Sequence, residues 1–198
     1  MKLVKKIGIL SVFLTVFMAG CFGTKKVEDI THSTIIVNKD SSVSVVYVED
    51  FSKGYYSESE VRTQIDDEIA KLNSAAGETV ATVDSFAVEN GIAKLNITFT
   101  RAEYYNLFDS EDLYVGTVSD ALNAGYDLDV TLRNYDDSET VGYDQLSALG
   151  ENHIVIIDNG YNVIVPSNFL YVSEDVDNVS KKEVNTFDNA DHTVVIYK

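Results

Sequence analysis

Few residues in this chain are of the kinds that do chemistry, and their spacing is the first constraint on what it can do. One cysteine, Cys21, occurs in 198 residues, which excludes an internal disulfide or a thiolate cage for zinc. His32, His153 and His192 are scattered along the chain with no metal-ligand spacing, and no His-Glu-x-x-His pair exists. The Gly-x-Ser-x-Gly and Ser-x-x-Lys patterns of serine hydrolases are absent, as is a glycine-rich phosphate loop. Carboxylates are abundant, densest at Asp127, Asp129, Asp136, Asp137 and Glu139. Calcium takes six to eight oxygens from such groups, but the Asp-x-Asp-x-Asp-Gly order is missing, so a solvated loop is expected there. Tyr55-Tyr56 and Tyr104-Tyr105 are the candidate aromatic edges in a chain without tryptophan. One ring of each pair in the core and the other at the rim explains them without a ligand. The residues thus nominate no catalytic group, no metal ligand and no cofactor.

Cys21 is different because of what precedes it. Lys2, Lys5 and Lys6 form a basic start, and the apolar run from Ile7 to Met18 follows. That run is shorter than the ~20 residues of a stable membrane span, and small residues come after it, as in a removable secretory signal. Phe17-Met18-Ala19-Gly20-Cys21 resembles the lipobox of bacterial lipoproteins, with Met18 where that family usually carries Leu. The resemblance implies cleavage between Gly20 and Cys21, diacylglycerol on the Cys21 sulfur, and often palmitate or a similar acyl chain on the new N-terminus. A single acyl chain binds membranes marginally, so the two or more that this modification supplies are what make an anchor.

Removing residues 1–20 leaves 178 of the 198 residues and takes three lysines with it, so the formal charge falls from −17 to −20. Such a surface disfavours nucleic acid and anionic headgroups. A domain of this size can bury enough core to do without disulfides. The absence of cysteines after Cys21 leans towards a Gram-positive source, with the protein on the outer face of the cytoplasmic membrane.

The elements that must position any site are legible in part. Residues 21–33 read as a short tether and 34–198 as one domain. Thr34–Asn38 and Val43–Glu49 read as a hairpin. Ser57 and Glu60 have capping-box spacing, and Val61, Ile65, Ile69 and Leu72 repeat at helical intervals, which predicts a helix over about 58–75 ended by Gly77. Asn90-Gly91 predicts a type I′ turn with Val88 facing Ala93 and Phe86 facing Leu95. That register sets Asp84 opposite Ile97 on an apolar face, which demands a bulge or a partner. Thr100 and Glu103 repeat the capping-box spacing ahead of a short helix. A brief strand over 113–116, a short helix over 118–124, a strand over 128–132 and a helical turn over 144–149 follow. A second Asn-Gly, at 159–160, predicts a hairpin of 153–158 with 161–165, apolar on both faces. Phe169–Val172 and Thr193–Tyr197 complete the strands. The expected fold is α+β, an antiparallel sheet of hairpins packed by one main amphipathic helix and short additional ones.

The lipobox, Val48-Glu49-Asp50-Phe51 leading into Tyr55-Tyr56, and Leu170-Tyr171-Val172-Ser173 with the closing Tyr197-Lys198 are together similar to small surface lipoproteins of Firmicutes. That resemblance implies no activity and no site residues beyond Cys21. The expected function is a non-catalytic binding or structural module of the cell envelope, held to the membrane by its lipid and facing an envelope protein or wall glycan. The rivals are a wall glycan or peptide hydrolase working with a carboxylate pair, and a solute-capture lipoprotein. The last ranks below because the domain is small for two lobes. Carboxylates on facing walls of a cleft would favour the hydrolase, and an exposed apolar patch a protein partner.

Overall fold

A computed structural model describes residues 26–109, 112–158, 160–186 and 192–198. Gly20 and Cys21, with the whole leader, lie outside the described residues. Strands β1 (Thr34–Val37) and β2 (Val43–Asp50) form the expected antiparallel hairpin. Helix α1 runs from Glu58 to Ala76; the Ser57 hydroxyl accepts from the Glu60 N–H at its start, and Gly77 ends it at φ 75°. Ile65 and Ile69 are its buried residues, one stripe of the predicted apolar face, and Val61 and Leu72 pack beside them.

Strands β3 (Ala81–Glu89) and β4 (Ile92–Phe99) turn through Asn90 and Gly91, both at positive φ as a type I′ turn requires. Val88 pairs with Ala93 and Phe86 with Leu95, as the turn dictates. At Asp84 the register slips: Val83 opposes Ile97 while Ser85 opposes Asn96, leaving Asp84 as the extra residue of a bulge. It is also partnered. Asn38 Nδ2 donates to Ser44 Oγ at 3.2 Å, Ser44 is 2.8 Å from Thr98 Oγ1, and the Thr98 hydroxyl donates to Asp84 at 2.6 Å. The conflict between charge and apolar register is resolved by both devices at once.

Partial burial raises the Asp84 carboxyl above its ordinary value, opposed by the Thr98 hydrogen bond. A folded state that holds its proton to higher pH loses stability as pH climbs from the unfolded value of 3.8 upward. Asp84→Asn keeps an acceptor for Thr98 and removes the titration. Its urea midpoint is expected to match the parent near pH 4 and to exceed it at about pH 7. A difference that stays constant with pH would remove this carboxyl from the account.

Helix α2 (Ala102–Phe108) begins later than the Thr100–Glu103 spacing suggested. Arg101 is its N-cap, with no side-chain cap bond, because the Thr100 N–H is already committed to Val80 O at 2.9 Å. The sheet takes Thr100 before the helix can use it. Strand β5 (Leu113–Thr117) leads into α3 (Val118–Ala124), which Thr117 caps and Gly125 ends at φ 81°. The strand expected over 128–132 shrinks to β6 (Leu132–Arg133), paired with β7 (Thr140–Val141). Asp127 starts its own turn, its carboxylate accepting the Asp129 N–H at 3.0 Å, and that local bond competes with an extended ladder. Helix α4 (Tyr143–Leu146) and a 3-10 turn over Ser147–Leu149 replace the single helical turn expected there.

The second Asn-Gly hairpin does not form. Strand β8 (His153–Ile157) and strand β9 (Asn162–Ile164) enter different sheets. Gly160 sits at φ 103°, and the N–H groups of Gly160 and Tyr161 donate to Thr186 Oγ1 at 3.1 and 3.2 Å. Both strands are apolar on both faces, so each finds a central place with two strand neighbours, which a lone hairpin cannot offer. Strands β10 (Phe169–Ser173), β11 (Asp177–Ser180), β12 (Glu183–Asn185) and β13 (Thr193–Tyr197) complete the chain.

The larger sheet has the order β11-β12-β9-β1-β2-β4-β3 and the smaller β5-β8-β13-β10-β6-β7. Among the described residues all strand pairs are antiparallel except β1 with β9. The α+β class is therefore as read, but with two sheets packed face to face instead of one. Ile35, Val45 and Ile97 of the larger sheet meet Val155, Val172 and Val195 of the smaller, with Ile65, Ile69 and Tyr105 of α1 and α2 in the same core. A second apolar layer lies behind the smaller sheet: Ile154, Ile156, Val194 and Ile196 pack under Val118 and Ala121 of α3 and Leu146 of α4. Within the segment read as tether, Val27–Asp29 make a 3-10 turn, and Ile30 is buried on the outer face of the larger sheet against Ile36 and Val46. Among the described residues no helix is long and apolar enough to cross a membrane.

Candidate functional site

The β6–β7 ladder decides where the acidic residues go. Leu132 pairs with Val141 and Arg133 with Thr140, antiparallel, so the segment entering β6 and the segment leaving β7 emerge at the same end. Between them lies an open cleft of about 620 Å3, lined by Tyr126, Asp127, Leu128, Asp129, Gly142, Tyr143, Asp144 and Gln145. Leu128 and Leu146 are buried in the layer behind the smaller sheet, and this apolar base holds both walls in place.

Each wall is braced by its own short hydrogen bonds. The Asp127 carboxylate accepts from the Asp129 N–H, and its carbonyl oxygen lies 2.8 Å from His192 Nε2. Tyr126 packs its ring on Tyr114 at 4.5 Å, and burial pushes both phenols above their ordinary value. Opposite, the Gly142 N–H donates to Gln145 Oε1 at 3.1 Å. The Tyr143 ring is about half exposed at the rim. Among the described residues the lining carries Asp127, Asp129 and Asp144 and no cation. Carboxylates beside a half-exposed tyrosine suit a ligand that offers N–H or O–H donors and an apolar face.

The acidic stretch is thereby divided. Asp127 and Asp129 enter the cleft, while Asp136, Asp137 and Glu139 belong to the β6–β7 turn, where Asp137 pairs with Arg133 at 2.9 Å. Among the described residues no three histidines, cysteines or carboxylates converge on a common point that could hold a metal ion. The histidines also stay apart: His32 lies beside Thr31, His153 stacks on Tyr197 at 5.3 Å, and His192 braces the cleft wall. Sequence reasoning missed Tyr143, Asp144 and Gln145 because their only relation to Asp127 is through the strand pairing.

The tyrosine pairs part company. Tyr105 is fully buried with burial pushing its phenol far upward, and Tyr104 lies nearer the surface under Arg101, 5.0 Å from its ring; this pair splits between core and rim as expected. Tyr55 and Tyr56 do not: they are 77% and 44% exposed. Tyr56 stacks on Phe51 at 5.0 Å and meets Tyr55 edge-on at 4.7 Å. The start of the loop is tied to the β3–β4 turn, through Phe51 N–H to Gly91 O at 2.7 Å. No family model, curated protein or solved structure matches the chain.

Proposed function

We propose that the protein is an exported, lipid-anchored binding module of the cell envelope, non-catalytic, whose ligand surface is the cleft between residues 126–129 and 142–145. The observation that carries this reading is the cleft itself: carboxylates from both walls, a rim tyrosine and a buried apolar base. The ligand class that fits is an amine-bearing or hydroxyl-rich wall fragment, which supplies donors to Asp127, Asp129 and Asp144 and a face to Tyr143. The lipobox resemblance at Cys21 supports the location, since it brings such a cleft next to the wall.

The carboxylates on facing walls also favour the hydrolase as a second reading. A glycosidase needs one carboxyl shielded in an apolar pocket to act as acid, whereas the cleft carboxylates are exposed to water. Binding is therefore preferred over turnover.

Calorimetric titration with soluble wall fragments tests both. Binding is expected for the parent chain, with Tyr143→Ala and Asp144→Asn each weakening it by about tenfold, the size of a moderate hot spot. Absence of heat at millimolar fragment would end the binding reading. Release of shortened fragments, lost in Asp127→Asn or Asp144→Asn, would move the assignment to the hydrolase.

A further inference from the structure

The route of the N-terminal segment and the exposed aromatic loop belong to one end of the molecule. Going backwards from β1, the Ser33 hydroxyl accepts the Val48 N–H at 3.1 Å, and the Lys94 ammonium donates to the Glu28 carbonyl at 2.7 Å. Lys94 pairs with Val48, and the next pair of that ladder towards the β3–β4 turn that lies on the same face is Ile92 with Asp50, about 7 Å further along at the usual strand rise. The segment therefore crosses the outer face of the larger sheet at the level of the Val48–Lys94 pair, one same-face pair short of the β3–β4 turn. At that turn Gly91 O holds the Phe51 N–H, and the loop displays Tyr55 and Tyr56, with Ile92 39% exposed on the same outer face as Lys94. From Cys21 to Val27 there are six residue steps, at most ~21 Å of chain.

We infer that this end of the molecule, with Tyr55, Tyr56 and Ile92, rests in the interfacial layer of the membrane to which Cys21 is attached. The inference rests on the lipid attachment proposed above. A leash this short, joined to a segment held at Lys94, one same-face pair from Ile92, keeps the aromatic loop within reach of the headgroups. Tyrosine is the side chain suited to that layer, with an apolar ring and a hydroxyl for water. Glu49, Asp50 and Glu89 flank the loop beside Lys53, so the contact relies on the rings and not on anionic lipid. Seating this end on the membrane orients the body and leaves the cleft, which lies beyond the smaller sheet, directed away from the larger sheet's outer face.

The chain has no tryptophan, so an introduced one reports alone. Lipidated full chains carrying Tyr55→Trp or Tyr143→Trp are reconstituted in phosphatidylcholine vesicles, with or without bromine on the upper acyl chain. Emission of Tyr55→Trp is expected to fall to roughly half with brominated lipid and to shift to the blue, as for a side chain at headgroup depth, while Tyr143→Trp is unchanged. Equal emission from Tyr55→Trp in both lipids, with the protein still on vesicles and acyl mass on Cys21, overturns the inference and leaves the anchor standing. Absence of acyl mass on Cys21 overturns the anchor and the inference together.

Discussion

Cys21→Ala is expected to abolish incorporation of labelled palmitate and to move the protein from the detergent phase to the aqueous phase on phase partitioning. The proposed anchor is a thioether at one sulfur, and no other cysteine can replace it. Each buried methylene contributes ~0.8 kcal/mol, and two acyl chains separate firm attachment from the marginal binding of one. Among the described residues no helix is long and apolar enough to cross a bilayer. The aromatic loop at Tyr55 and Tyr56 is too small a contact to hold the protein once the acyl chains are gone. The proposed cleavage falls between Gly20 and Cys21, so the mass of the N-terminal peptide gives an independent reading: the parent should begin at Cys21 with acyl groups attached. A parent chain whose N-terminal peptide carries no acyl mass would end the lipoprotein assignment whatever its location.

The second large effect concerns stability. Phe99→Ala is expected to lower the free energy of unfolding by about 3–5 kcal/mol, the range for deleting a buried aromatic ring. Phe99 is fully buried at the last rung of β4, opposite Val43 on one side and Ala81 on the other. Its ring meets Tyr105 at 5.7 Å and Phe108 at 5.5 Å, which makes it the hinge between the larger sheet and α2. Backbone pairing on both sides prevents the strand from collapsing into the vacated space, so most of the cavity term is retained. Leu107→Ala on the same helix, at a side chain 73% exposed, should change stability by no more than ~0.5 kcal/mol. Urea unfolding of the two variants beside the parent checks the contrast; similar midpoints for both would mean that α2 is not locked to β4 through Phe99.

These expectations draw on parts of the chain that were unequally legible. The β3–β4 hairpin and α1 were readable because their determinants are local. Asn90-Gly91 accepts two positive φ values, and Ser57, the apolar stripe and Gly77 mark a helix from end to end. The Asp84 bulge was foreshadowed by a conflict between charge and register, although which remedy the fold would use was not. Asn159-Gly160 carries the same turn signal as Asn90-Gly91 and led to the wrong pairing. The difference lies in the flanking strands. Around Asn90 one face of each strand is apolar and the pair can be satisfied by a single sheet, whereas β8 and β9 are apolar on both faces and are drawn into the centres of two.

By itself the sequence determined the elements with local causes, the α+β class and the motif around Cys21, whose resemblance to a lipobox depends on neighbouring residues alone. Tertiary structure decided which strands share a sheet, that there are two sheets, and that Tyr55 and Tyr56 are both exposed on the surface of the body. It also decided the cleft, because Asp127 and Asp144 become neighbours only through the pairing of Leu132 with Val141. Turn chemistry and periodicity act over a few residues, while the choice of strand partner is set by how much apolar surface each alternative buries, a quantity that belongs to the whole chain.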